Sequence, residues 1–419
     1  MVPIAYLAVS IWGALFTFSS LVRLRRPGFL LFPYFMSAWL TGELALFHIM
    51  WQAIATVVFI ALGALDSWPG WLGLAITICS WAGLALDQQR AQEAPDVLER
   101  ALRDGLGDEY RNAIDPDLAS KLVGERRFRG LVRPFRMKDR TVERIVDIPY
   151  GPAGKRNRLD LYRLATPPAE PMPVLVQVHG GGWVVGHKQQ QALPLMYHLA
   201  ARGWVCVSIN YRLGPRATWP EPIVDVKRAL AWVRAHVAEY GGDPNFVVIT
   251  GGSAGGHLCS LAALTPGDPA FQPGFEDADT SVAACVPMYG VYDLVDRHGS
   301  RVKRGMEMFL RHVLMKTSPV DDRETWDRAS PVCRVHPGAP PFFVVHGTYD
   351  SLVFIDDAHA LVAELRAVGA RPLVYAEVPG AQHAFDMFHS VRADAAVDAI
   401  GRFLAFVYSA HIAAARSAS

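Results

Sequence analysis

Five short runs between residues 173 and 346 are almost purely apolar: PVLVQVH (173–179), WVCVSIN (204–210), FVVIT (246–250), VAACVPMY (282–289) and FFVVH (342–346). Each has the length of one strand. None alternates apolar with polar as a strand with one wet face would, so each must be covered on both sides. Helical periodicity fills the gaps, most clearly over 221–239 (EPIVDVKRALAWVRAHVAE), where Ile223, Val226, Ala229, Leu230 and Val233 share a face and proline stands at the start. Further helices are expected at 190–202, 254–264, 356–368 and 391–407, and a last strand at 372–378 (PLVYAEV). Such alternation predicts an α/β fold, a mostly parallel sheet with helices on both faces. VERIVDI and RLDLYRL, separated by turn residues, predict an antiparallel opening pair. The charged helical stretch 291–340 interrupts the rhythm and is expected to be an insertion, a candidate lid.

The chain has a second, different part. Residues 1–88 hold six charged side chains (Arg23, Arg25, Arg26, Glu43, Asp66, Asp87). Residues 3–22 carry no charge, long enough to cross about 30 Å of hydrocarbon. The arginines follow that run, the reverse of a cleaved signal peptide, so it is expected to stay in place. Further spans are expected at 44–65 and 71–86, with Trp68, Trp71 and Trp81 near their ends. The segment 28–40, short and interrupted by Pro33, is expected to be interfacial or re-entrant. Three spans put the arginine cluster and the basic residues after 88 on one side. The Asp66–Gly70 loop, which has no lysine or arginine, falls on the other. The expectation is a multi-pass membrane protein with its large domain in the cytoplasm. Glu43 and His48 fall near span ends, where water reaches them.

The expected division is therefore a transmembrane helical module over 1–88, a helical connector or cap over 89–140, a catalytic domain over 141–410 and a tail over 411–419. In the connector, Val97, Leu98, Ala101, Leu102 and Leu106 line one helical face. Forty-one basic against forty acidic residues (net +1) exclude a nucleic-acid binder that relies on a basic field. The five cysteines lack C-x-x-C spacing and are expected to be buried free thiols, not a disulfide framework or a zinc site.

Chemistry concentrates at the ends of the apolar runs. Gly251-Gly252-Ser253-Ala254-Gly255 is G-x-S-x-G directly after FVVIT and before a helix, the setting in which a tight turn pushes a serine hydroxyl above a sheet edge. His179-Gly180-Gly181-Gly182 closes PVLVQV. Glycine there leaves backbone N–H groups free to stabilise a developing oxyanion, with His179 supporting the loop. A nucleophilic serine needs a base, and the base an orienting carboxylate. His383, after the last strand, and Asp350, just after FFVVH, both fall on the rim that carries Ser253. The order Ser253…Asp350…His383 suits this chemistry. Asp356 and Asp357 fit a helix start better, Asp386 follows no strand, and His257 is too near Ser253 in sequence to face it.

HGGG, NYRL (210–213), GGSAGG, HGTYD and GAQHAF, in this order, resemble the hormone-sensitive-lipase-like carboxylesterases of the α/β-hydrolase superfamily over roughly 145–408. The resemblance implies Ser253 as nucleophile, His383 as base and Asp350 as its orienter. It also implies an oxyanion hole from the N–H groups of Gly181, Gly182 and Ala254, with no metal or organic cofactor. Asn210 in place of the family's usual aspartate, and Trp183 after HGGG, are more similar to kynurenine formamidase and prenylcysteine methylesterase relatives. Three readings stay open: a membrane-anchored carboxylesterase or lipase acting on small ester or lipid substrates, a formamidase-like or methylesterase-like hydrolase, and a catalytically silent membrane scaffold. With every expected site residue beyond 178, a chain lacking 1–88 is expected to remain active on short esters. Met306, Met308, Phe309 and Leu310, with the helices of 89–140, are expected to frame an acyl channel.

Overall fold

The apolar runs form the middle of one eight-stranded sheet. Its strands are β1 (Val142–Pro149), β2 (Arg158–Leu164), β3 (Met172–Val178), β4 (Val205–Ile209), β5 (Gly242–Gly252), β6 (Ala284–Met288), β7 (Phe342–Gly347) and β8 (Leu373–Val378). The spatial order is β1-β2-β4-β3-β5-β6-β7-β8. β2 is antiparallel to β1 and β4, and every other pairing is parallel. A computed structural model of the chain describes residues 1–24, 30–122, 132–297, 299 and 305–418. Arg25, Arg26 and the start of the charged stretch at 301–304 therefore lie outside the described residues.

Among the described residues six α-helices precede the strands: α1 (Val2–Leu21), α2 (Leu31–Glu43), α3 (Ala45–Ala61), α4 (Trp68–Ala91), α5 (Ala94–Leu106) and α6 (Pro116–Leu122). Among and after the strands come α7 (Leu193–Ala200), α8 (Glu221–His236), α9 (Ala254–Leu264), α10 (Gly305–Leu310), α11 (Arg323–Arg328), α12 (Asp356–Ala367) and α13 (Val391–Ala418). Successive strand residues point to opposite faces. Val174, Val176, Val207 and Ile249 meet α8, α9 and α12 in one core, while Leu175, Cys206, Val248 and Val286 meet α5, α7 and α13 in another. This two-sided cover explains why the central strands lack polar alternation. The connector helix α5 is thus a cover for β8 and α13, not a roof over Ser253, and the expected tail is the end of α13. Cys206, Cys259 and Cys285 are buried thiols, whereas Cys79 and Cys333 are exposed.

The N-terminal helices are built inside out relative to a water-soluble bundle. Their mutual contacts use small and hydroxylated residues: Thr17 Oγ1 lies 2.6 Å from Ser80 Oγ, Thr77 donates to Ser10 at 3.0 Å, and Tyr6 donates to Thr56 at 3.1 Å. A Cβ on Gly83 would stand 2.8 Å from Thr17 Cγ2, so close approach requires glycine there. Trp12, Leu15, Phe18, Ile54, Val57 and Trp71 face outward. Small residues inside and large apolar ones outside suit packing in lipid, where close van der Waals contact replaces hydrophobic burial.

α1 and α4 are long and apolar enough to cross a membrane, as is α13 by composition, though over half of α13's apolar window is buried within the protein. α2 and α3 meet at Leu44 in a 91° bend and pass that test only as a pair. The expected span at 44–65 is thus a 17-residue helix after a bend, and 71–86 extends to the 24 residues of α4. α1 and α4 run parallel, with Leu7 beside Gly73 and Thr17 beside Gly83, and α3 runs against them, with Tyr6 on Phe59 and Phe16 on His48. One end of this bundle sits on the sheet domain. Glu43, expected near water, is buried there with Asp87 around the fully buried Arg392 of α13.

Candidate active site

Ser253 occupies the turn between β5 and α9 with φ 57° and ψ −123°, a conformation that is strained for a residue with a Cβ. Its N–H donates to Met288 O at 3.0 Å, and its carbonyl accepts from His257 N at 3.0 Å. The flanking glycines follow from packing. A Cβ on Gly255 would lie 2.0 Å from Val178 O, and one on Gly251 would lie 2.5 Å from Gly255 O. Strand, turn and helix therefore cross too closely for any side chain at either position, and the half-buried Ser253 side chain is left at the rim.

The loop after β3 lies against the serine: a Cβ on Gly180 would be 3.0 Å from Ser253 Cβ. The N–H of Gly180 is taken by Gln191 Oε1 at 2.5 Å. Among the described residues, the N–H groups of Gly181, Gly182 and Ala254 have no acceptor. Gly181 and Gly182 have φ of 110° and 58°, and Ala254 opens α9, whose N-terminal dipole favours negative charge. His179 is buried and stacked on Tyr211 at 4.4 Å, with Nδ1 donating to Gly180 O at 2.7 Å. Burial pushes its pKa down to about 4, so the ring is neutral and braces the loop.

His383 and Asp350 meet from the loops after β8 and β7, with His383 Nδ1 2.7 Å from Asp350 Oδ2. A carboxylate only accepts, so Nδ1 carries the proton and Nε2 keeps its lone pair. Asp350 is fully buried and fully satisfied. Oδ1 accepts from Leu352 N and Val353 N, each at 2.9 Å, and His346 Nε2 lies 3.2 Å from Oδ2. Burial pushes its pKa up, but the charge interaction with His383 and the hydrogen bonds from His346 and His383 hold it well below the usual carboxylate range. Among the described residues no hydrogen bond joins Ser253 Oγ to His383 Nε2, a contact that often tightens only when substrate is bound.

Asp386 takes a different partner, the hydroxyl of Tyr289, and burial raises its pKa. His257 is buried, accepts from Trp183 Nε1 at 3.3 Å and contacts Ala329 O, so it belongs to the core. Asp357 accepts from Tyr292 N, and Asp356 begins α12. Asn210 ties loops together, accepting from Lys188 N at 2.8 Å and donating to Lys155 O at 2.9 Å. No group of three or more histidine, cysteine, aspartate or glutamate side chains among the described residues could hold a metal ion.

Several neighbours of the site carry no motif in the sequence. The Tyr289 ring lies 4.7 Å from that of His383, and Gln382 Oε1 accepts from Ser351 N and His383 N. Phe35 of α2 stands edge-on to His383 with centroids 6.1 Å apart. Of the four expected channel residues, Phe309 reaches Gly182, whose Cβ would be 3.6 Å from its ring. Leu310 is instead buried in the core and Met308 faces solvent. Successive helix residues turn by about 100°, so Met308 falls opposite Met306 and Leu310 and the four cannot share one face.

The low Asp350 pKa has a pH consequence. A carboxyl whose folded pKa is depressed contributes stability that is complete above its unfolded value, about 3.9, and lost as pH falls toward the folded one. Asp350 is therefore expected to weaken the fold only below about pH 4. Asp350→Asn should flatten that acid-side slope in circular dichroism melts of the full chain. Equal slopes in both proteins would mean that Asp350 is not held ionised.

An eight-stranded, mostly parallel sheet with a serine turn on its rim and a histidine–aspartate pair beyond two further strands defines an α/β-hydrolase. Residues 159–365 match the family model BD-FAE. Esterase LipQ of Mycobacterium tuberculosis (strain ATCC 25618 / H37Rv) is 45% identical over 330 residues, covering 77% of each chain. The probable carboxylic ester hydrolase LipM of the same strain is 48% identical over 332 residues, covering 78% of this chain and 76% of LipM. Both matches are longer than the 145–408 stretch that carries the motifs. Among solved structures, the propionate-bound esterase Est2 of Thermogutta terrifontis superposes with a TM-score of 0.51 at 27% identity, covering 66% of this chain and 96% of Est2. The chain belongs to the BD-FAE family of α/β-hydrolase esterases, and it is a carboxylic ester hydrolase.

Proposed function

We propose that the protein is a membrane-anchored serine carboxylesterase of the hormone-sensitive-lipase-like kind, with Ser253, His383 and Asp350 as its triad. The observation that carries this reading is the 2.7 Å pair of His383 Nδ1 and Asp350 Oδ2 on the rim where Ser253 is held in its strained turn. Ser253 Oγ attacks the ester carbonyl while His383 Nε2 takes its proton, and Asp350 stabilises the imidazolium. The carbonyl oxygen becomes an oxyanion between the N–H groups of Gly181, Gly182 and Ala254, donors already oriented and unspent. Collapse of the tetrahedral intermediate breaks the ester C–O bond, and His383 gives its proton to the leaving alcohol. Water activated by His383 then releases the acid and restores Ser253.

Residues 1–88 serve as the membrane module, 89–140 as a cover and 141–410 as the catalytic domain. α1, α3 and α4 are read as crossings and α2 as lying at the interface. Arg23 falls at the end of α1 nearest the catalytic domain, which favours a cytoplasmic domain. A fluorophosphonate probe is expected to label the full chain stoichiometrically and Ser253→Ala not at all. Hydrolysis across a panel of esters, amides and formamides is expected to favour esters. A labelled Ser253→Ala protein would move the nucleophile elsewhere, and a preference for formamides would remove the esterase reading.

A further inference from the structure

The catalytic rim of this fold is met by a helix from outside the hydrolase domain. Phe35 of α2 lies edge-on to His383 and is stacked on Trp39, with centroids 5.7 Å apart and an interplanar angle of 5°. Trp39 packs on Phe388 at 5.4 Å, and Phe388 on Phe135 at 5.2 Å. In the other direction Phe35 meets Phe32 at 6.2 Å. Phe35, Trp39 and Phe388 are buried, whereas Phe32 and Phe135 are 65% and 66% exposed. Aromatic rings thus run without interruption from an open rim to the imidazole of His383.

The rim is not an ordinary wet surface. Leu30 and Leu31 are exposed beside Phe32, and α2 turns away from α3 by 91° at the end of the bundle that meets the hydrolase domain. With α1, α3 and α4 read as crossings, a helix so placed would lie at the depth where lipid headgroups meet acyl chains. Its apolar face is fixed in position. Arg392 Nη1 donates to Gly42 O at 3.1 Å and its Nε to Pro379 O at 2.7 Å, tying the end of α2 to the loop that leads to His383.

We propose that Phe35, backed by Trp39, is the wall along which the apolar chain of a bilayer-dissolved ester lies while its carbonyl reaches Ser253. The N-terminal module is then part of the substrate site and a determinant of its preference for lipophilic esters, beyond serving as a tether. The proposal rests on Ser253 and His383 being the reacting pair. Long-chain esters concentrate in the bilayer because each buried methylene favours transfer by about 0.8 kcal/mol. An aromatic track that starts at the interface receives them with the chain still out of water.

The experiment uses the full chain in liposomes with nitrophenyl esters, and reads the ratio of kcat/KM on dodecanoate to that on acetate. Phe35→Ala is expected to lower this ratio roughly tenfold, the scale on which an apolar contact discriminates substrates. Most of the change should fall in KM for the long ester. Phe32→Ser alters a mostly exposed ring that meets Phe35 from its outer side, and is expected to lower the ratio severalfold. Trp12→Ala, on the outer side of α1, should keep the wild-type ratio. Ratios within about twofold of wild type for both Phe35→Ala and Phe32→Ser overturn the proposal, provided that fluorophosphonate still labels Ser253. If Phe35→Ala does not fold, Phe32→Ser decides alone. Failure of the probe on the wild-type protein would instead overturn the reading of Ser253 itself.

Discussion

Asp350→Asn is expected to lower kcat on a short-chain ester by about 10⁴-fold with the fold intact. Asp350 Oδ2 faces two imidazole nitrogens, His383 Nδ1 at 2.7 Å and His346 Nε2 at 3.2 Å, while Oδ1 takes the N–H groups of Leu352 and Val353. An asparagine that keeps its oxygen on the two backbone donors turns its NH₂ toward both histidines. Donor then faces donor at Nδ1, so His383 moves its proton to Nε2 and loses the lone pair that should receive the Ser253 proton. Asp386→Asn is the contrasting variant: its carboxyl is engaged by Tyr289, and its loss should cost far less. Both follow from steady-state kinetics beside a circular dichroism check. An Asp350→Asn enzyme within about tenfold of wild type would pass the acid role to another carboxylate.

Arg392→Met is expected to destabilise the full chain by about 3–5 kcal/mol, the usual consequence of stranding buried charges. Besides Pro379 O and Gly42 O, the guanidinium donates to Asp87 Oδ1 at 3.1 Å and lies 3.6 Å from Glu43 Oε1. Glu43 also accepts from Ser390 Oγ at 2.6 Å. Removing the arginine takes from two buried carboxylates the cation that lies nearest to both. Adding Glu43→Gln and Asp87→Asn to Arg392→Met should recover most of the loss, because no uncompensated charge remains. Thermal midpoints of detergent-solubilised protein measure both. A loss below about 1 kcal/mol would mean that the carboxylates reach water. The same contacts bear on the expectation that a chain lacking 1–88 remains active on short esters. Among the described residues that cut leaves Arg392 with Pro379 O alone, and a Cβ on the adjacent Gly380 would stand 2.7 Å from its Nη2. A guanidinium without its partners would therefore disturb the loop that holds His383.

Local pattern was enough to reach the sheet and the rim. PVLVQVH and FVVIT have no polar face, which determines burial between helices, and the G-x-S-x-G glycines are required wherever a strand, a turn and a helix cross at van der Waals distance. Asp350 and His383 were legible because topology alone puts the end of every parallel strand on one edge. The charge-poor first 88 residues likewise determined helices suited to lipid.

Tertiary structure alone decided how the two parts join. Arg392 reads as one polar residue on an amphipathic helix, and Glu43 as a carboxylate at a span end. Neither carries a local signal of its partner, because Glu43 and Ser390 meet across 347 residues of chain. Phe35 is one of many aromatics in an apolar block, and periodicity cannot say that its ring meets His383. The 91° bend at Leu44 decides that, by turning α2 off the bundle axis and over the rim. Sequence pattern specifies which face of an element is apolar, whereas the partner of that face depends on the path of the whole chain.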